Sequence, residues 1–235
     1  MIKFFRHIRK FLIEQNKMRK YFKYAIGEII LVVIGILIAL QINNWNEKNN
    51  QNNTLQNTYS MIVNDLETDI TKVRQTLEFY KEKEPYLKHV LDGKLTKKDY
   101  SDSSYFNLIT YSPDYSVTTR GFNLLHSSVD NGVIKDSLQI SITEFYTSTI
   151  NRFEFLRNYI IEDIGDNFAY WKTNFDWYPD YIMRNNLAGF TEYTINNPDY
   201  KNRIANYYFV HYDIAIKYLN EFLENADKVI KALKQ

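Results

Sequence analysis

Residues 29–40 read IILVVIGILIAL, twelve positions without a polar side chain in a chain that is otherwise polar. Such a run has few ways to be satisfied: it is wrapped by protein or it lies in lipid. A spanning helix needs roughly 20 mainly apolar residues, with about 17 as the lower limit, so the run alone is short. Extended back through Ala25, Ile26, Gly27 and Glu28 and forward through Gln41 to Ile42, it reaches 18 residues with one acid and one amide. Tyr21, Phe22 and Tyr24 on one side and Trp45 on the other supply an interfacial aromatic belt. Glu28 falls near the headgroups, where Lys20 or Lys23 can neutralise it. Its cost there is well below the ~2.5–3.5 kcal/mol of a charge at the bilayer centre.

The whole-chain charge of +1 hides an asymmetry. Lys3, Arg6, Arg9, Lys10, Lys17, Arg19, Lys20 and Lys23 against Glu14 give residues 1–24 a net +7 and leave −6 to the rest. A basic tail and an acidic body on either side of an apolar segment fit a membrane topology rather than a nucleic-acid binder. The positive-inside rule places residues 1–24 in the cytoplasm and residues 43–235 outside it. A buried core helix would not need this charge bias. A signal peptide would carry a shorter basic region and a small-x-small cleavage site, which Ala39-Leu40-Gln41 does not provide. Residues 25–42 therefore read as an uncleaved signal anchor. Within residues 2–13, Ile2, Phe5, Ile8 and Leu12 recur at helical spacing among Lys3, Arg6, Arg9 and Lys10. This is the pattern of a basic amphipathic helix on the inner leaflet; a generic retention signal without a defined helix is the plainer alternative.

Glu28, Gly35 and Ala39 fall near one face of the span, because seven residues turn a helix by about 700°. Gly35 and Ala39 form a small-x-x-x-small pair that lets a second helix approach, so the three are a candidate membrane-helix contact. Gly and Ala are also common in membrane helices that make no such contact.

The run Tyr21-Phe22-Lys23-Tyr24-Ala25-Ile26-Gly27-Glu28-Ile29, continuing through VVIGILIALQINNWNE to Glu47, resembles the N-terminal signature of an uncharacterised single-span membrane-protein family of Bacteroidetes bacteria, a domain of unknown function. The later stretch from Thr119 to Tyr146, TRGFNLLHSSVDNGVIKDSLQISITEFY, is similar to that family's second block in spacing. The resemblance implies a single-span protein of the bacterial inner membrane with a helical domain outside the cytoplasm, in the periplasm. It carries over no catalytic residue.

Only 7 Gly and 4 Pro favour long helices over many short strands. Leu55, Tyr59, Ile62, Leu66, Ile70, Val73, Leu77 and Tyr80 repeat at steps of three and four, one core stripe of a helix. Pro85 suits a helix first turn and Asp92-Gly93 a helix end. Residues 94–117 read as turn-rich, followed by a short helix near 118–127 and a turn at Asp130-Asn131-Gly132. Leu138, Ile142, Phe145, Thr149, Phe153, Leu156, Ile160, Ile164 and Phe168 mark a long helix over 134–175. Residues 176–198 read as a loop with Pro179 and Pro198. A last helix from Asp199 presents Ile204, Tyr207, Tyr208, Val210, Ile214, Tyr218, Phe222, Ala226, Val229 and Leu233. The predicted fold is all-α: one transmembrane helix followed by an antiparallel helical bundle.

The chain has no Cys, which excludes disulfides, thiolate metal sites and Cys nucleophiles. No phosphate-binding loop, dinucleotide fingerprint, nucleophile elbow or His-Glu-x-x-His occurs. His7, His89, His126 and His211 lack metal-ligand spacing. Glu162 and Asp166 share a helical face with Asp163 beside them, a pattern met by a hard-cation site but more commonly by a solvated acidic face. The run FAYWKTNFDWYPDY concentrates Tyr170, Trp171, Trp177 and Tyr178, which serve either as an aromatic binding surface or as core packing at a bundle end. The expectation is a noncatalytic envelope interaction or scaffold protein with no cofactor or metal. Its expected partners are the lipid bilayer and a second copy or another envelope protein. A ligand-sensing domain signalling through a partner is the alternative.

Overall fold

The computed structural model describes Arg6, Lys10 and residues 18–130 and 137–234. The expected amphipathic segment at residues 2–13 and the turn at Asn131-Gly132 lie outside the described residues. Most of the described residues are helical, and no strand occurs among them. They fall into two compact units, Met1–Asn57 and Thr58–Gln235.

Helix α1 runs Met18–Leu91 and contributes to both units. In the first unit every residue from 29 to 54 is exposed. Among the described residues α1 is the one helix long and apolar enough to cross a membrane, and none of its apolar window is buried. The described residues leave this row of Ile, Leu and Val side chains uncovered.

The second unit is an antiparallel helical bundle. The C-terminal part of α1 is followed by two 3₁₀ turns, Lys97–Ser101 and Ser103–Asn107. Then come α2 (Arg120–Asp130), α3 (Ser137–Asn174), α4 (Tyr178–Met183), α5 (Ala188–Asn196) and α6 (Pro198–Tyr208). A π turn, Phe209–Ala215, joins α6 to α7 (Ile216–Leu233). Contacts fix the directions. Lys234 pairs with Glu67 at 2.8 Å while His211 meets Tyr80, so α7 runs antiparallel to α1. Arg152 pairs with Glu221, and Arg203 with Asp166 at 2.7 Å, so α3 is antiparallel to the α6–α7 rod.

The predicted stripe of α1 is the buried one: Tyr59, Ile62, Leu66, Ile70, Val73 and Tyr80 are interior. Two acids share that face. Asp65 and Asp69 are buried, and both serve the start of α2. Asp65 accepts from the Gly121 N–H at 3.0 Å and from Arg120, and Asp69 accepts from the Thr118 N–H and hydroxyl. Carboxylates from a neighbouring helix thus satisfy donors that a helix N-terminus leaves unpaired. Gly121 permits the approach, since a Cβ there would stand 2.7 Å from the Ile62 backbone nitrogen.

Three sequence expectations are corrected. Pro85 lies inside α1 rather than opening a helix. Buried Lys83, Leu87 and Val90 on the same turns hold the helix together past the missing hydrogen bond. The helix ends at Leu91, where Gly93 adopts φ 70° and Lys94 N–H bonds back to His89 O. Residues 176–198 are not a loop: they fold as α4 and α5, with Pro179 in the first turn of α4 and Pro198 opening α6. The last helix is not uniform. Ala215 and Leu219 are buried where the stripe placed Ile214 and Tyr218, a local shift of one residue that follows the π turn, and burial rejoins the stripe at Phe222, Ala226 and Val229.

Candidate functional site

The α1 stripe continues one turn beyond Tyr80 to Lys83, a cation at a core position with only 9% of its surface exposed. Tyr207 and His211, four residues apart at the junction of α6 and the π turn, face the same turns of α1. Lys83 Nζ donates to Tyr207 Oη at 2.7 Å and to Tyr111 O at 3.3 Å, and Tyr207 donates in turn to Tyr111 O at 2.9 Å. The ammonium also sits 4.3 Å from the Tyr207 ring centroid and 5.2 Å from that of Phe79, within cation–π range. Among the described residues Lys83 makes no ion pair. Burial pushes its pKa down to about 7.

Beside it lies a hydroxyl–imidazole cluster. Tyr80 Oη is 2.8 Å and Tyr115 Oη 3.2 Å from His211 Nδ1, and the two hydroxyls bond to each other. Burial, and then the charge of Lys83, lowers the His211 pKa to about 3, so the imidazole is neutral at physiological pH. Burial raises Tyr80 to about 12 and Tyr115 further. These groups satisfy one another in a low-dielectric interior, where an unpaired polar atom is costly.

Lys83 forms part of the wall of a cavity of about 820 Å³. Phe79, Tyr86, Leu108 and Tyr111 supply its apolar and aromatic walls, and the exposed side chains of Glu82 and Arg184 also line it. A second cavity of about 510 Å³ shares Asn107, Thr110 and Arg184 with the first. Arg184 caps α4 in the left-handed conformation, φ 54° and ψ 31°, the one such non-glycine residue among those described. A side chain held there carries local strain, which the Tyr181 and Asp180 carbonyls stabilise by accepting the Arg184 and Asn185 N–H groups.

Residues 28–164, more than half of the chain, match a family of unknown function, DUF6090. The chain belongs to this family. The DUF6090 match takes in the apolar helix, the buried acids, Tyr80, Lys83 and Tyr115, while Arg184, Tyr207 and His211 lie beyond it. No curated protein and no solved structure matches the chain.

The residues singled out from sequence take the following places in this DUF6090 chain. Glu28 on α1 is half-buried, and Gly35 and Ala39 are exposed, with open space around a Cβ at Gly35. Trp171 is fully buried and donates its Nε1–H to Tyr193 Oη at 2.9 Å. Trp177 is half-buried, stacks on Phe175 and packs so closely on Gly189 that a Cβ there would clash. Tyr170 and Tyr178 are half-buried, and the Arg203 guanidinium lies 4.4 Å from the Tyr170 ring. The aromatic run therefore packs inward as one end of the core. Glu162 and Asp166 are exposed; Asp166 pairs with Arg203, and Asp163 accepts from Asn206 at 2.6 Å. Among the described residues no three His, Asp or Glu side chains gather as a metal-ligand group. Sequence reasoning passed over Lys83, Tyr207 and His211 as a unit. The available signal was a lysine three residues past Tyr80 on the core stripe.

Proposed function

We propose that this protein is a single-pass, noncatalytic interaction or scaffold module of the bacterial envelope. Residues 1–24 lie in the cytoplasm, residues 25–42 span the inner membrane, and the helical bundle stands in the periplasm. The observation that carries this reading is the apolar stretch of α1, whose side chains are all exposed. The seven net positive charges before it supply the orientation. The noncatalytic part is supported by the interior chemistry: His211 is buried, and its Nδ1 bonds to two phenols, Tyr80 and Tyr115, that burial keeps protonated. The bilayer is one partner, and a second copy or another envelope protein is the other. Crosslinking in native membranes tests it. A reproducible protein adduct is expected, and recovery of nonspecific neighbours alone overturns it.

The Lys83 cavity favours a second reading, a ligand-sensing domain that signals through a partner. Ligand-dependent thermal stabilisation of the full chain is then expected, and no shift across a broad metabolite panel contradicts it.

A further inference from the structure

We propose that the cavity beside Lys83 binds a small organic monoanion, a carboxylate on an aromatic or aliphatic body. This deepens the ligand-binding reading above and does not depend on membrane anchoring. The juxtaposition that carries it is buried Lys83 in the wall of a cavity that sets aromatic side chains beside Glu82, Ser104, Asn107, Thr110 and Arg184. Of the three Lys83 N–H donors, Tyr207 Oη and Tyr111 O take two. No carboxylate among the described residues pairs with the third. A buried cation without a counter-ion is unfavourable, and an incoming anion supplies what the fold omits.

The surroundings narrow the class. Phe79, Tyr86 and Tyr111 present partly exposed aromatic surface that suits an apolar or aromatic body, while Ser104, Asn107 and Thr110 offer polar contacts beside it. Lys83, Arg184 and Glu82 sum to one positive charge when Lys83 is protonated, which matches a monoanion and repels a second negative charge through Glu82. Arg184 presents a planar fork suited to a carboxylate, on a backbone fixed in the left-handed region. The cavity volume is that of a small-molecule site.

Binding also couples to a proton. The groups facing the Lys83 ammonium are Tyr207 from α6, the Tyr111 carbonyl, the Phe79 ring of α1 and, behind Tyr207, neutral His211. None of them is anionic at neutral pH. A bound carboxylate therefore favours protonated Lys83, and affinity falls as pH rises above 7.

The test is calorimetric titration of the full chain in lipid nanodiscs, with empty nanodiscs as blank. Phenylacetate, indoleacetate and hexanoate are compared with their neutral amides at pH 6.5 and 8.5. Saturable binding of at least one carboxylate, absence of binding by its amide, and weaker binding at the higher pH are expected. Lys83→Met should lower affinity about tenfold or more, and Arg184→Gln several-fold, with both variants melting within a few degrees of the parent. If Lys83→Met does not fold, the exposed Arg184 substitution carries the comparison. No saturable binding of any of the three carboxylates overturns the site. Equal binding of acid and amide, or unchanged affinity in the folded variants, overturns the anion assignment even where a ligand binds.

Discussion

Tyr80 Oη and His211 Nδ1 stand 2.8 Å apart, joining α1 to the π turn across 131 positions of sequence. The π turn gives this contact its geometry: it carries His211 inward while Ala215 and Leu219 keep the next helix packed. Tyr80→Phe should cost about 1–2 kcal/mol, since Tyr115 remains as a partner for the imidazole. His211→Ala should cost more, roughly 2–4 kcal/mol, because it leaves a cavity and removes the acceptor that both hydroxyls share. Denaturant unfolding of the two variants checks the order.

Acid should weaken the bundle partly through His211. Its folded pKa of about 3 lies below the ordinary value of 6.5, so between those values the unfolded chain binds a proton that the native state refuses. Stability from this group is therefore intact above pH 6.5 and declines as pH falls toward 3. The stability difference between parent and His211→Gln should move in favour of the variant over that window. A difference that stays constant with pH contradicts a neutral buried imidazole.

Lys83 acts at the other end of the scale. Its folded pKa of about 7 lies below the ordinary 10.5, so the unfolded chain again holds the extra proton, now between pH 7 and 10.5. Parent stability should rise through that range relative to Lys83→Met, which lacks the titration. The variant's advantage should be greatest at pH 7 and below, where burying the charge costs most. Thermal melts of both proteins at pH 6, 8 and 9.5 read this directly.

The start of α2 is a sensitive point. Arg120 is largely exposed, so its ion pair with Asp65 is worth little by itself. Asp65 also accepts the Gly121 N–H in the interior, and that bond dominates. Asp65→Ala should destabilise by roughly 2–4 kcal/mol, while Arg120→Gln should cost under about 1 kcal/mol. Gly121→Ala should cost about 1–3 kcal/mol because its Cβ meets the Ile62 backbone rather than a movable side chain. Unfolding midpoints of the three variants separate these contributions.

The apolar rhythm of the chain was enough to place the long helices and most of their buried faces. Tyr59, Ile62, Leu66, Ile70 and Val73 follow a plain three-and-four spacing, and burial follows that spacing. The polar core was not visible in the same way. Asp65, Asp69 and Lys83 lie on the buried face, but hydropathy assigns such side chains to solvent. Their partners Arg120, Thr118 and Tyr207 are 55, 49 and 124 residues away, so no local pattern announces them. The one-residue shift to Ala215 and Leu219 follows the π turn and ends at Phe222, a local change of winding that a fixed period of 3.6 does not register. Pro85 and the prolines around α4 and α5 show that tertiary packing decides whether a proline ends a helix, interrupts it or begins one.

Anchoring and orientation are tested most directly by fusing, at Gln235 of the full chain, a reporter that is active only outside the cytoplasm, and in parallel one that is active only inside. Both fusions are followed through alkaline extraction of membranes. The proposed topology predicts activity from the external reporter alone, in protein that stays with the membrane pellet. Activity from the internal reporter alone, or release of the chain into the soluble fraction, contradicts it.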